Sequence, residues 1–374
     1  MKNSYKIDIL ILLPIVLMML FSISVVYSAS SSFSMEKFSD SNYLFRNHTI
    51  RVFLGLVLIF LFAKIDYKYI QKYSKYIIWL AIFLLIFVFV LSSGPIKGAS
   101  RWIQVGPFSF QPSDFAKYAL IIYLAALLAR KKEYIGLLFK GYLPILFYIL
   151  LVTALVAIQP NFSVSLIIFT TSILMLLLTE AKIKHIFFTL IGLLPVGILF
   201  VMSKAYILER LSSHSEYTSG GNSNYQLQQA IIGFGNGGIL GIGPGHSLQR
   251  EFFLPEAYGD FIFSIIGEEY GFIGTSLIIL LFALLLYRGF KTAKTVEDDF
   301  GKYLAFGITA LLTFYAIINM SVATGVIPTT GVPMPFVSYG GTAIFFNAIA
   351  VGILLNISSH RVRETKRVNV LRTA

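Results

Sequence analysis

The sequence predicts an all-α polytopic membrane protein, with about ten transmembrane helices in a single domain over residues 1–374. Hydrophobic residues make up 56% of the chain and charged residues only 13%, whereas a soluble domain has about 25% charged residues. The apolar residues also form long runs, and about 20 consecutive apolar residues cross the core of a bilayer. The predicted spans are 8–28, 50–65, 75–93, 113–130, 141–159, 162–180, 184–203, 260–287, 303–324 and 341–358.

The first predicted span, 8–28, opens the chain. Lys2 and Lys6 precede it, as basic residues precede the core of a secretory signal peptide. Its apolar stretch is longer than the 7–15 residues of a typical signal core, and further apolar runs follow. We therefore interpret it as an uncleaved transmembrane helix. The last span contains Asn347 and Asn356, which indicates a face that is turned towards other helices.

The distribution of Lys and Arg predicts the orientation. With the N-terminus in the cytoplasm, 21 of the 30 basic residues fall in cytoplasmic segments and 9 in external ones, in agreement with the positive-inside rule. Both termini are then cytoplasmic, including a basic tail at 359–374. Three polar loops rich in Gly and Pro, which are 93–112, 204–259 and 325–340, lie on the external side. We therefore expect the protein to act at the external face of the membrane.

The composition argues against several functions. The net charge is +12, but the basic residues lie in short clusters between apolar runs, so no nucleic-acid partner is expected. The chain has no cysteine, which excludes disulfides, thiolate metal sites and cysteine nucleophiles. The short cytoplasmic loops contain no glycine motif for nucleotide binding, which argues against ATP-driven chemistry on that side.

The first external loop combines Lys97, Arg101 and Trp102, and Lys117 follows at the start of the fourth span. Three cations so close together on a side with few of them suit an anionic ligand, and the indole ring could stack on a sugar face. The alternative is a connecting loop in which Trp102 is an ordinary interfacial anchor. The residue pattern alone leaves both interpretations open.

The second external loop has about 55 residues, which is too long for a plain connector. Its polar beginning, 212–224, predicts a mobile segment, and 225–232 predicts one or two turns of amphipathic helix. The run 233–245 is dense in glycine but carries interleaved Ile, Leu and Phe. Such a segment enters the membrane surface only where its backbone is buried in protein or lines a cavity. Glycines also allow close approach of the backbone to a ligand.

Carboxylates stand where the second loop enters the eighth span. Asp260, Ser264 and Glu268 recur at i, i+4 and i+8 and share one helix face, with Glu268 about 12 Å deeper than Asp260. Asp260 could simply cap the helix and favour its dipole. A carboxylate as deep as Glu268 needs a cation, a proton or a water-filled cavity, and such residues usually mark pathways or chemistry.

The third external loop is the richest in turn-forming residues. Residues 325–341 contain three prolines and four glycines. Proline prevents regular helix and leaves backbone groups to be satisfied by neighbours or by a ligand. We expect a re-entrant loop that lines the same external cavity as Asp260.

Taken together, these segments resemble the SEDS family (shape, elongation, division and sporulation proteins), whose members include FtsW and RodA. Ten spans fit the family's fold. Two positions depart from its pattern: Asn161 stands where many relatives have Asp, and Tyr258-Gly259 replaces the more usual His-Thr. The matching motifs lie in family order at Lys97–Trp102, Gln111–Lys117, Gln159–Asn161, Tyr225–Gln226, Leu254–Glu269 and Pro333–Gly341.

The resemblance implies a peptidoglycan glycosyltransferase that polymerises lipid II into β-1,4-linked strands at the outer face of the bacterial inner membrane. The family's essential acidic residue corresponds to Asp260, the expected catalytic residue. The residues expected to bind the substrate and its diphosphate are Lys97, Arg101, Trp102 and Lys117. The residues expected to support the site are Gln111, Ser264, Glu268 and Ser338.

The resemblance also implies partners. These are lipid II and the nascent glycan strand, a class B penicillin-binding transpeptidase, and other proteins of a division or elongation complex. No cofactor is assigned, although a divalent cation stays open. The runs 254–257 and 243–250 are closer to FtsW, whereas 332–336 suits RodA, so the FtsW-like branch is slightly favoured.

Two functions of other classes stay open. A lipid II flippase would need alternating access and a polar path through the membrane, and Glu268 would belong to that path. A non-catalytic scaffold for a transpeptidase would depend on lipid-facing helix surfaces, and Asp260 would then be dispensable.

Overall fold

The fold is a bundle of α-helices. The computed structural model describes residues 7–91, 101–105, 108–220, 224–249 and 257–373. They form α1 (Ile9–Phe38), α2 (Tyr43–Lys64), α3 (Tyr67–Leu91), α4 (Pro112–Arg130), α5 (Leu143–Ile158), α6 (Phe162–Leu177), α7 (Ile183–Met202), α8 (Ala205–Thr218), α9 (Tyr225–Gly237), α10 (Ile262–Thr295), α11 (Asp299–Ala323) and α12 (Ala343–Thr373). The all-α prediction is confirmed.

Three short elements complete the described chain. A 3-10 helix (Lys132–Tyr134) and a π-helical turn (Leu138–Tyr142) join α4 to α5. In the first long loop, β1 (Ile103–Val105) pairs antiparallel with β2 (Phe108–Phe110). This hairpin was not predicted, and it follows from alternating Ile, Val and Phe residues that suit a strand.

Each predicted span corresponds to a helix. Among the described residues, nine helices are long and apolar enough to cross a membrane. The remaining predicted span, 162–180, corresponds to α6, which is apolar but has only 16 residues.

The predicted boundaries were wrong at several ends. α2 begins at Tyr43 rather than at residue 50, because Arg46, Asn47 and His48 interrupt the apolar run. His48 is fully buried, and its Nε2 lies 2.8 Å from Ser22 Oγ of α1, so this polar residue of α2 faces protein rather than lipid. α3 begins before residue 75, and α10 begins at Ile262 rather than at residue 260 and continues past residue 287.

α4 lies at the centre of the bundle. In its membrane-spanning stretch 89% of the residues are buried, against 6% in α7. α4 packs against α3 and α11, and on α11 Gly307 leaves room for Ile121 of α4. Close packing of this kind holds helices together in lipid, where no hydrophobic force acts between them.

The second long loop is more ordered than the sequence predicted. The prediction of a mobile start at 212–224 was wrong for 212–218, which belong to α8. Ile207 and Leu211 recur at i and i+4 and give α8 an apolar side. α9 then begins at Tyr225 and extends beyond the predicted 225–232. Its N-cap is Asn224, whose side-chain Oδ1 accepts a hydrogen bond from the Leu227 N–H.

The glycine-dense segment fills a break in α10. Gly271 is non-helical there, with φ +63. The N–H groups of Ile242 and Gly243 donate to the carbonyls of Glu268 and Glu269 at 3.0 Å. In return the Phe272 and Ile273 N–H groups donate to the Gly238 and Ile239 carbonyls. The backbone groups freed by the break are therefore satisfied within the protein.

The third long loop, between α11 and α12, contains no helix or strand between residues 326 and 341. It is nevertheless packed into the protein, since Val332, Met334 and Phe336 are almost fully buried. The prediction that its prolines prevent regular helix is confirmed, whereas its re-entrant course through a membrane stays a prediction.

Candidate active site

Asp260 lies in the turn 257–261 that leads into α10. The side-chain amide of Asn319 joins this turn to the third loop. Asn319 Nδ2 on α11 donates to the Asp260 carbonyl at 2.9 Å and to the Val332 carbonyl at 2.8 Å. Asn319 is fully buried. The position of Asp260 is therefore set jointly by α11 and by the third loop.

Ser338 and Tyr339 connect the third loop to the same turn. The Ser338 hydroxyl donates to the Gly259 carbonyl at 2.6 Å and accepts from the Met334 N–H at 2.8 Å. The Tyr339 N–H donates to the Tyr258 carbonyl at 2.8 Å, and the two Tyr rings meet edge to face. Ser338 was predicted to support the site, and its contacts place it directly beneath the Asp260 turn.

The Asp260 carboxylate and the Arg210 guanidinium of α8 both lie beside Gly331. A Cβ built on Gly331 would lie 3.5 Å from Asp260 Oδ2 and 3.8 Å from Arg210 Nη2. Arg210 Nη1 donates to the Thr330 carbonyl at 3.2 Å. Gly331 has φ +72, a conformation that glycine adopts without strain. The second and third loops thus bring an acid and a guanidinium to one point.

Arg101 brings a second guanidinium from the first loop. Burial lowers the pKa of Arg101, while the charge of Asp260 opposes that shift and the charge of Arg210 adds to it. Arg101 therefore lies within electrostatic range of both groups, and arginine stays charged in proteins. Trp102 lies next to it against the third loop, because a Cβ on Gly341 would lie 3.6 Å from Trp102 Cζ3.

Lys117 lies deeper and is ion-paired. Its Nζ is 3.0 Å from Asp114 Oδ1, and its ammonium lies 4.3 Å from the centre of the Tyr315 ring. Only about 1% of the residue is exposed. It also lines a small cleft beneath the third loop, together with Met334, Ser338 and other residues of that loop.

Gln111 precedes α4 and is half-buried. Its N–H donates to Thr342 Oγ1 at 3.3 Å, and that hydroxyl donates to Asp114 Oδ2 at 3.0 Å. The first loop is therefore joined to the start of α12 at the Lys117 ion pair.

Ser264 and Glu268 were predicted to share a helix face with Asp260, which could also cap that helix. Both predictions were wrong, because α10 begins at Ile262 with Phe261 as its N-cap, and Asp260 lies in the turn before it. The Ser264 hydroxyl donates to the Phe261 carbonyl of its own helix at 2.7 Å. Glu268 is fully buried and accepts hydrogen bonds from the Ser247 hydroxyl, from Asn236 Nδ2 at 3.3 Å and from the Gln249 N–H at 3.4 Å. The depth of this carboxylate is therefore explained by donors from the second loop.

Lys97 lies outside the described residues, so its predicted place in the site is a sequence-based expectation. Among the residues that the structure describes, no group of three or more His, Asp or Glu side chains could hold a metal ion. The described part of the site thus offers carboxylates and cations for acid–base and anion-binding chemistry.

Sequence reasoning missed Arg210. The sequence contains one weak signal for it: Arg210 is one of nine basic residues in the predicted external segments. Asp260 and Thr330, close to which Arg210 lies, are 50 and 120 positions further along the chain. No local sequence pattern predicts contacts between residues so far apart.

Comparison with known proteins assigns the chain to a family. Residues 8–363 match the FtsW/RodA/SpoVE family, described as "Cell cycle protein". The chain belongs to this family. As a member of a family of membrane proteins with nine helices of membrane-spanning length among its described residues, it is an integral membrane protein.

Relatives match this chain over nearly its whole length. The probable peptidoglycan glycosyltransferase FtsW of Geobacter metallireducens is 37% identical to this chain, and the alignment covers 96% of each protein. Stage V sporulation protein E of Bacillus subtilis is 36% identical over 94% of this chain and 97% of the relative. The FtsW-like branch is therefore supported.

Solved structures share the fold. A chain of a peptidoglycan synthase complex that coordinates polymerization and crosslinking matches with TM-score 0.74 at 24% identity, covering 95% of this chain and 98% of that one. RodA of Thermus thermophilus matches with TM-score 0.70 at 22% identity, covering 96% and 99%. At these identities the likeness concerns the architecture.

Proposed function

We propose that this protein is a peptidoglycan glycosyltransferase that polymerises lipid II, and that Asp260 is its general base. The full-length similarity to relatives named peptidoglycan glycosyltransferase supports the reaction class. The observation that carries the site is the convergence of three long loops on Asp260, which lies near Arg210 and Arg101.

The reaction joins two lipid-linked sugars. Asp260 takes the proton from the 4-hydroxyl of the acceptor sugar, and that oxygen attacks the anomeric carbon of the donor chain. The bond from that carbon to the diphosphate breaks, and undecaprenyl diphosphate leaves with the electron pair. Direct displacement inverts the anomeric centre and gives a β-1,4 link. A positioned base typically contributes about 10²–10⁴-fold.

Cations assist the departure of the diphosphate. Charge develops on the leaving group, and fixed positive groups in a site poor in water stabilise it without reorganisation. Among the described cations that the sequence predicted, Arg101 interacts electrostatically with Asp260. Lys117 lies in the cleft below, where its charge is paired with that of Asp114, and Lys97 completes the predicted set. Trp102 supplies an apolar ring for a sugar face.

The orientation and the partner belong to the same proposal. The loop-bearing end of the bundle faces outward, and both termini lie in the cytoplasm of a bacterial cell. The partner is a class B penicillin-binding transpeptidase, and the complex that matches this fold couples polymerization to crosslinking. Other proteins of a division complex would join them.

The test is polymerisation of lipid II by the purified full-length chain, with and without a transpeptidase partner. Asp260→Asn keeps the size of the side chain and removes its basicity, so we expect glycan synthesis to fall by about 10²–10⁴-fold with the protein still folded. Asp40→Asn, which removes a partly exposed carboxylate between α1 and α2, is the matched control and should stay active.

The alternatives predict different results. A folded Asp260→Asn protein with wild-type polymerisation would overturn the base assignment. Lipid II transfer across sealed vesicles without any polymer would instead favour a flippase. A chain that lacks both activities but still binds the transpeptidase would favour a scaffold.

A further inference from the structure

The loops around Asp260 contain buried hydrogen-bond donors for which the described part of the chain supplies no acceptor. The buried Nε of Arg101 has no hydrogen-bond partner among the described residues, and the same holds for the buried hydroxyl of Thr330. A buried donor without an acceptor is unfavourable. Arg101 lies within electrostatic range of Asp260, and Thr330 precedes Gly331, beside which Asp260 Oδ2 lies, so the two donors suit a ligand that carries several oxygen atoms.

Arg210 completes this group. Its Nη1 donates to the Thr330 carbonyl, which fixes the plane of the guanidinium. Its Nη2 points to the space beside Gly331 that Asp260 Oδ2 also reaches. An arginine fork held on one side in this way presents its remaining N–H groups in a geometry that suits phosphate oxygens.

The local charges favour an anionic ligand. Arg101 and Arg210 share the single carboxylate of Asp260, while Lys117 and Asp114 neutralise each other. The described part of the site therefore carries one excess positive charge. When Asp260 takes a proton the excess grows, and this is the moment at which a leaving diphosphate gains negative charge.

We propose that Arg210 of α8, with Arg101 and Thr330, forms a diphosphate-binding site next to Asp260. The proposal rests on the proposed glycosyl transfer, whose leaving group it binds. It also gives α8 a function, because this helix of the second loop places the Arg210 guanidinium against the third loop.

The experiment compares Arg210→Gln and Arg210→Lys with the wild type. Lys204→Gln is the matched control, since Lys204 is an exposed cation at the start of the same helix, next to Phe200. We expect Arg210→Gln to lower the polymerisation rate by about 10²-fold, Arg210→Lys to recover part of the loss, and Lys204→Gln to match the wild type.

A binding measurement separates the ligand role from a role in folding. Inorganic pyrophosphate should raise the thermal unfolding temperature of the wild type, of Asp260→Asn and of Lys204→Gln, because a ligand that binds the folded state stabilises it. It should not raise that of Arg210→Gln. If Arg210→Gln does not fold, the charge-conserving Arg210→Lys carries the test, and we expect weakened but detectable protection.

The outcomes distinguish the two proposals. A wild type that makes no glycan from lipid II overturns the proposed function. A wild type that is active, with Arg210→Gln equal to Lys204→Gln in both rate and pyrophosphate protection, overturns the diphosphate site alone. Protection of every variant to the same degree would show that pyrophosphate binds elsewhere and would also overturn it.

Discussion

The buried ion pair of Lys117 and Asp114 shows how a residue can serve the fold and the site together. Both residues are more than nine-tenths buried, and their charged groups meet at 3.0 Å at the start of α4. A pair of this kind adds little net stability, because removing two charges from water costs about as much as their attraction returns. Breaking it is a different matter, since the remaining charge is then buried alone.

We therefore expect Lys117→Met to lower the free energy of unfolding by about 3–5 kcal/mol. The double variant Lys117→Met with Asp114→Asn should recover most of that loss, because no uncompensated charge is left. Polymerisation should stay impaired in both, since the cation beneath the third loop is gone. Unfolding followed in detergent, together with the lipid II assay, measures the two effects. A single variant as stable as the wild type would contradict the buried pair.

The residues of the site could be predicted from sequence to different degrees. Asp260, Arg101 and Trp102 stand in motifs that a family shares, so the motifs alone are enough to predict that they belong to one site. Arg210 could not be found this way, because its position depends on how α8 folds against the third loop. The burial of Lys117 could not be predicted either. The sequence shows only a cation at this position, and the structure shows that it is paired with Asp114.

At the scale of elements, the interrupted helix α10 organises the second loop. The segment after α9 enters the break at Gly271 and exchanges backbone hydrogen bonds with both sides of it. Glu268 adds side-chain acceptors to the same junction. The sequence left open whether the glycine segment is buried in protein, lines a cavity or approaches a ligand, and in the structure its close neighbour is the backbone of α10.

Replacing each of two glycines of α9 by alanine tests this packing. A Cβ on Gly237 would overlap the carbonyl of Gly267 in α10, whereas a Cβ on Gly235 would meet nothing within 4 Å. We expect Gly237→Ala to destabilise the protein by about 1–3 kcal/mol or more, as overpacking against rigid backbone does. Gly235→Ala should be neutral or stabilise by up to about 1 kcal/mol, since Ala is the better helix former.

Thermal unfolding of the two variants side by side measures this difference. Equal stability of Gly237→Ala and Gly235→Ala would show that α9 does not contact α10 closely at Gly237. Because the junction lies just after the Asp260 turn, Gly237→Ala should also reduce lipid II polymerisation, and Gly235→Ala should not.

At the scale of the whole molecule, hydropathy predicted the ten apolar spans and their order but not their packing. α4 and α7 are both apolar runs, yet one is central and the other touches the bundle with few residues. Membrane helices bury apolar surface against lipid as readily as against protein, so composition alone does not separate these two. Close-packing glycines such as Gly307 do, but only after the partner helix is known.

The orientation of the bundle can be tested directly because the chain contains no cysteine. Ser219 follows α8 in the second loop and Glu297 lies between α10 and α11, and both are exposed. A membrane-impermeant maleimide should label Ser219→Cys in cells with an intact inner membrane, since the positive-inside rule places that loop outside. Glu297→Cys should react only after permeabilisation. Both should react equally in detergent, and the opposite pattern in intact cells would place Asp260 on the cytoplasmic side and remove its access to an external substrate.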